Sequence, residues 1–235
     1  MEEKTLREMN LIDHLEELRR RILRVIGFVV FASLFIYPVS HRILQFLTLP
    51  IKKTYFFSPQ EAILVRIKIS IFLSLFISFP YALLEGWLFV APGLYPEERK
   101  YVRSFLLIFV LLFYLGVAVS FLFLPYIIHV LLSFSTPSIS PMINISRYLS
   151  FLFWISLGLG LGFEIPGVLL LLSKLGIVTP GMLLKGWRFA VVAILVFSAV
   201  ITPTVDVVTQ ILVSLPLFFL YLLGILFSFL GRRNV

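Results

Sequence analysis

The chain has 235 residues, 60% of them hydrophobic and 14% charged, with a net charge of +8. That balance excludes a soluble globular domain, and the absence of cysteine excludes disulfides, thiolate metal sites and a thiol nucleophile. The apolar residues form long runs that do not alternate as barrel strands do, so the expected class is all-α, a polytopic membrane protein in a single domain spanning 1–235.

Residues 1–21 are polar and then amphipathic. Leu11, Ile12, Leu15, Leu18 and Ile22 recur at helical spacing, with Asp13, Glu16 and Arg20 towards another face. This pattern predicts a helix lying along the membrane interface and running into the first span, at 22–39. The N-terminus is long and charged and has no small-residue cleavage site, so no cleavable signal peptide is expected. Residues 40–66 read as a loop with its own partly apolar helix (41–49). The second span is predicted at 67–90 and the third at 101–124, stopped by Pro125. Between them runs Glu85 to Arg103, where Pro92, Gly93 and Pro96 break the helix and a cluster of charge follows. A second loop covers 126–148.

The fourth span, 149–172, carries Gly158, Gly160 and Gly162 at alternate positions, a pattern that permits close helix approach or local irregularity. The fifth span, 187–201, has an apolar run of only thirteen residues, about 20 Å of helix against a hydrocarbon core of about 30 Å. It turns at T-P-T-V-D and returns as the sixth span, 207–230, so the fifth and sixth spans form a short hairpin. Six spans put both termini on one side. Fourteen of the twenty Lys and Arg then lie on the side of the termini, which makes both termini cytoplasmic by the positive-inside rule. The same distribution accounts for the net charge without a nucleic-acid partner.

Catalytic constellations are missing. The three histidines, His14, His41 and His129, fall in different regions, and no H-E-x-x-H, G-x-S-x-G or P-loop occurs. No enzyme activity, metal site or cofactor is expected. Glu164 is the sharpest single residue, because a carboxylate inside the bilayer is costly unless it is protonated, paired or hydrated. Its bland role is a protonated group bonded to a neighbouring helix; its functional role is an inward-facing polar site for a partner, a substrate or a proton. Glu85 lies near the cytoplasmic end of its span, where interfacial water accounts for it. Asp206 can cap the sixth helix through backbone N–H groups. Glu17 can pair with Arg21 at i,i+4, and Glu98 has Arg99 and Lys100 beside it. Alternatively, two such carboxylates on one surface select a basic motif, since a carboxylate accepts paired hydrogen bonds from arginine.

Four motifs point further. The segments H-L-E-E-L-R-R-R (14–21), F-V-A-P-G-L-Y-P-E-E-R (89–99), G-F-E-I-P (162–166) and T-P-T-V-D-V-V-T-Q (202–210) resemble those of the TatC family, in the family's order. TatC proteins are the multispanning receptor subunits of the twin-arginine protein translocase. The resemblance implies an inner (plasma) membrane protein that binds twin-arginine signal peptides of folded cargo. It also implies single-span partners of the TatA and TatB types, assembly with further copies of itself, and transport driven by the proton-motive force. Carried onto matching positions, it assigns signal-peptide binding to Glu17, Arg19, Phe89, Pro92, Leu94, Tyr95 and Glu98. It assigns a partner contact within the membrane to Glu164. Asp206 falls in the outer-turn motif, although T-P-T-V-D has one residue more before the acid than the family's T-P-P-D form. A proton-coupled secondary transporter using Glu164, an intramembrane enzyme and a structural scaffold are the competing readings.

Overall fold

The computed structural model describes residues 11–49, 51, 54–93, 96–135, 142–203 and 206–231, and for residues 11 and 96–104 the backbone alone. Nine α-helices carry the described chain: α1 (Leu11–Ile36), α2 (Ser40–Thr48), α3 (Glu61–Val90), α4 (Pro96–Ser133), α5 (Ile145–Gly162), α6 (Glu164–Lys174), α7 (Pro180–Lys185), α8 (Trp187–Ile201) and α9 (Val207–Gly231). No strand occurs among the described residues; a single bridge pairs Tyr55 with Asn144. Five helical stretches are long and apolar enough to cross a membrane, and α8 is a shorter apolar helix. The protein is therefore a multi-pass, all-α membrane protein.

The core is built around α5, whose Leu149, Leu152, Ile155 and Leu159 are almost fully buried. It meets a different neighbour at each of its three glycines. Gly158 lies against Ile201 of α8 and Gly162 against Leu217 of α9, while a Cβ on Gly160 would stand 2.8 Å from the Phe113 ring of α4. On the facing helix α4, a Cβ on Gly116 would come 2.6 Å from the Leu159 carbonyl oxygen. Without a hydrophobic force between helices in lipid, such close approach is what yields packing energy. Ser120 and Ser156 add a hydrogen bond of 2.7 Å across the same α4–α5 contact. Phe153 of α5 stacks on Phe72 of α3 at 4.7 Å, which joins α3 to this core.

Helix α1 runs antiparallel to α3 along nearly its whole length. His14 stacks on Phe89, Phe28 contacts Tyr81, and at the far end the Arg66 guanidinium lies over the Tyr37 ring. Arg66 also donates to Ser40 at the head of α2. As the sequence predicted, the amphipathic segment and the first span are one continuous helix. At the same end, Asn144 caps α5 by accepting from the Arg147 N–H and donates its amide to Glu61 at the start of α3. Lys68 is satisfied by Ser146 and Ser150 of α5, each 2.8 Å away.

Three boundaries differ from the sequence expectation. The third span does not stop at Pro125: α4 continues to Ser133, about 57 Å of helix, with the proline inside it. Proline removes one backbone donor, the partner of the Phe121 carbonyl, and the helix is kept by the bonds on either side of it. The helix of the second span begins at Glu61, before residue 67, and Glu61 accepts from the Phe57 N–H, closing the turn that leads into the helix. The fourth span is interrupted at Phe163, between α5 and α6. Pro166 has no N–H to return to the Gly162 carbonyl, so the ladder breaks one turn before it. Gly186 separates α7 from α8, and α8 covers about 22 Å.

Candidate functional site

The first charged cluster lies where the N-terminal half of α1 meets the C-terminal end of α3. Glu16, Glu17, Arg20, Arg21 and Arg24 fall on successive turns of α1, and their spacing sets two i,i+4 pairs, Glu16–Arg20 and Glu17–Arg21. Glu16 and Arg20 point outwards, and the hydrogen bond from Arg20 holds the Glu16 carboxyl below the usual carboxylate range. Arg21 points inwards. It donates to Glu17 Oε1 through Nε, at 3.0 Å, and through Nη2. Through Nη1 it reaches Glu85 Oε2 at 2.9 Å, and through Nη2 the Leu88 carbonyl at 3.2 Å.

Glu85 is the centre of this cluster. Its side chain is 6% exposed, and besides Arg21 it accepts from Arg24 Nη1 at 2.7 Å and from the Tyr81 hydroxyl at 3.0 Å. Sequence reasoning set this residue aside as an interfacial carboxylate hydrated by water. The structure corrects that: its partners are two arginines one turn apart on α1. The i,i+3 spacing of Arg21 and Arg24 was visible in the sequence, but the pairing of α1 with α3 was not. A recess of about 270 Å³ opens between the two helices, with Leu18, Arg21, Glu85 and Phe89 in its wall.

Of the residues predicted for recognition, those whose side chains are described lie on α1 and at the C-terminal end of α3. Glu17 and Phe89 belong to this cluster, Phe89 through its 4.2 Å stack with His14. Arg19 is exposed on α1, and Pro92 is exposed in the single 3₁₀ turn Ala91–Gly93 that ends α3. Leu94 and Tyr95 lie outside the described residues. Glu98 belongs to the backbone of the first turn of α4, and its side chain is outside what the structure describes.

Glu164 opens α6 at the break after Phe163. Both carboxylate oxygens are buried, with no hydrogen-bond partner among the described residues. Proline in the next turn creates the break, and the break places the acid at a helix N-terminus, where a negative charge is least costly. Asp206 accepts from the Thr209 N–H at 2.6 Å and so caps α9, as its place after the T-P-T-V turn allowed.

A second concavity, of about 590 Å³, is lined by apolar side chains of α3, α4 and the C-terminal end of α6, among them Phe79, Leu83, Trp87, Phe109 and Leu172. No group of three or more His, Cys, Asp or Glu with metal-binding geometry is found among the described residues.

These elements match known proteins over nearly the full length. The family model "Sec-independent protein translocase protein (TatC)" matches residues 13–216. The Sec-independent protein translocase protein TatC of Koribacter versatilis is 34% identical over 98% of this chain and 89% of its own length. The Helicobacter pylori protein of the same name is 36% identical over 92% of this chain and 87% of its own. A chloroplastic TATC of Pisum sativum is 34% identical over 93% of this chain and 63% of its own length. A solved structure titled twin arginine translocase receptor TatC superposes with a TM-score of 0.80 at 30% identity, covering 94% of this chain and all of that one. Matched by the family model over most of its length and by relatives and a solved structure at 30% identity or more, the chain belongs to the TatC family of Sec-independent protein translocase proteins.

Proposed function

We propose that this protein is the receptor subunit of a twin-arginine translocase and that it acts by binding, without catalysis. The observation that carries the reading is that Glu17 already accepts an arginine guanidinium at the end of the α1–α3 pair, beside the His14–Phe89 stack. A carboxylate so placed suits the arginine pair of a signal peptide, since guanidinium matches carboxylate geometry where an ammonium does not. Glu98 at the start of α4 is the second acid of the proposed site, and Arg19, Phe89, Pro92, Leu94 and Tyr95 are its further proposed residues. An exposed ion pair contributes little alone, so affinity also comes from the apolar part of the peptide; the 590 Å³ apolar recess offers it a surface.

In this reading the α1–α3 end faces the cytoplasm, both termini are cytoplasmic, and the chain sits in the inner (plasma) membrane as a single domain. Glu164 is the contact for a single-span TatA- or TatB-type helix, because a polar group on such a helix would satisfy its buried oxygens. The assembly contains further copies of this chain and is driven by the proton-motive force. The short α8 thins or depresses the bilayer around it by hydrophobic mismatch.

The decisive experiment is site-specific photocrosslinking from positions 17 and 98 to a twin-arginine signal peptide, with a twin-lysine peptide as control. A crosslink that disappears with the lysine pair supports the receptor role. No crosslink in correctly inserted protein removes both acids from the account and turns attention to Glu164 as a transport carboxylate, to be tested by proton-coupled uptake with the purified protein.

A further inference from the structure

Glu85 lies beside the proposed recognition site yet is better placed to control it than to bind cargo. It is buried, and its two oxygens are engaged by Arg21, Arg24 and Tyr81. Arg21 is shared: one nitrogen serves Glu85, two serve Glu17, and one of these two also reaches the Leu88 carbonyl. Both Arg21 bonds to Glu17 converge on Oε1, so the pair is not the parallel fork in which each guanidinium nitrogen takes its own carboxylate oxygen. Arg21 is therefore an occupant of Glu17 in a weaker geometry than an incoming arginine can adopt.

Exchange at Glu17 depends on what happens to Arg21 once released. Its side chain is 13% exposed. A buried guanidinium left without a carboxylate is strongly unfavourable. Glu85 and the Leu88 carbonyl remove that cost, because they retain Arg21 when Glu17 turns to a new partner. We propose that Glu85 is a positioning residue for signal-peptide recognition: it holds Arg21 as an exchangeable internal arginine on Glu17, which an arginine of the incoming peptide displaces. Selectivity for arginine over lysine follows, since a single ammonium cannot form the fork that outcompetes Arg21. The inference rests on the reading of Glu17 as a signal-peptide acid.

A simple staple between α1 and α3 makes a different prediction. The two helices are also joined by the His14–Phe89 stack, the Phe28–Tyr81 contact and the Arg66–Tyr37 contact, so conservative changes in the cluster leave the pair intact. The exchange model requires opposite effects from the two partners of one ion pair, whereas a staple requires the same effect from both.

The test is binding of a fluorescent twin-arginine signal peptide, with a twin-lysine control, to the purified full chain in lipid nanodiscs. The variants are Glu85→Gln, Arg21→Gln, the double variant and Glu17→Gln, with thermal unfolding recorded for each. Glu85→Gln leaves Arg21 dependent on Glu17 and is expected to weaken arginine-peptide binding on the order of tenfold. Arg21→Gln vacates Glu17 and is expected to tighten binding, and the double variant should follow Arg21→Gln. Weakening by both single variants, or a double variant no better than Glu85→Gln, overturns the exchange model. Unchanged binding in both single variants overturns it too. If Glu85→Gln fails to fold, the sign of the Arg21→Gln effect decides alone. Glu17→Gln separates the two levels: intact binding there defeats the site itself, whereas lost binding there combined with like effects at positions 21 and 85 defeats only the role of Glu85.

Discussion

The two halves of this molecule are held together by different physics. Around α5, neighbours approach through Gly116, Gly158, Gly160 and Gly162, and the contacts are neutral and close. Along α1 and α3, by contrast, α1 leaves most of its apolar side chains exposed and is tied to its neighbour by Glu85, two arginines and a few aromatic contacts. Close glycine packing leaves little room for another arrangement, least of all at Gly116, which meets the Leu159 and Gly160 backbone. A charge cluster with more donors than acceptors admits exchange. The rigid half thus supports the membrane body, and the exchangeable half lies at the proposed recognition site.

Substitutions at four positions test that contrast. Glu85→Ala should have the largest effect, because it takes from Arg21 its most buried carboxylate partner; removing one partner of a buried pair costs about 3 kcal/mol. Cysteine accessibility along α1 should rise while the α5 core stays protected, and a loss of protection in both regions would erase the distinction between the halves. Gly116→Ala comes next, at about 2 kcal/mol, because the new methyl meets the Leu159 carbonyl and the Gly160 Cα, which cannot move aside. Thermal unfolding in detergent reads this loss, which should leave α1 accessibility unchanged.

Gly158→Ala should cost about 1 kcal/mol, since its obstruction is the Ile201 side chain, which has rotamers to explore. A penalty equal to that of Gly116→Ala would show that α8 is held as firmly as α4. Asp206→Ala should cost about 1 kcal/mol by removing the cap on the Thr209 N–H. Asp206→Asn keeps an accepting oxygen and should recover most of that. If the asparagine variant restores stability but not export, Asp206 has a role beyond the cap.

The glycine pattern of the fourth span was legible in the sequence, and so was the shortness of the fifth, since small residues at alternate positions and a thirteen-residue apolar run each carry their physical meaning locally. The Glu17–Arg21 pair was legible for the same reason, as an i,i+4 spacing on one helix. Pro125 misled because a proline inside a helix forfeits one backbone hydrogen bond, here the one to the Phe121 carbonyl, and the helix continues on both sides of it. Glu85 was undervalued because its significance lies in which helix packs beside it.

By itself the sequence determined the all-α membrane class, the number of apolar segments and the family motifs, because hydrophobic length and residue order are local properties of a chain in a bilayer. Only the tertiary structure decided that α1 lies antiparallel on α3 and that the three glycines of α5 serve three different helices. It alone also decided that Arg21 is divided between Glu17 and Glu85. The reason is that lipid gives no hydrophobic preference between one apolar helix face and another, so the choice of neighbour rests on close contacts and buried charges that form only once the helices have met.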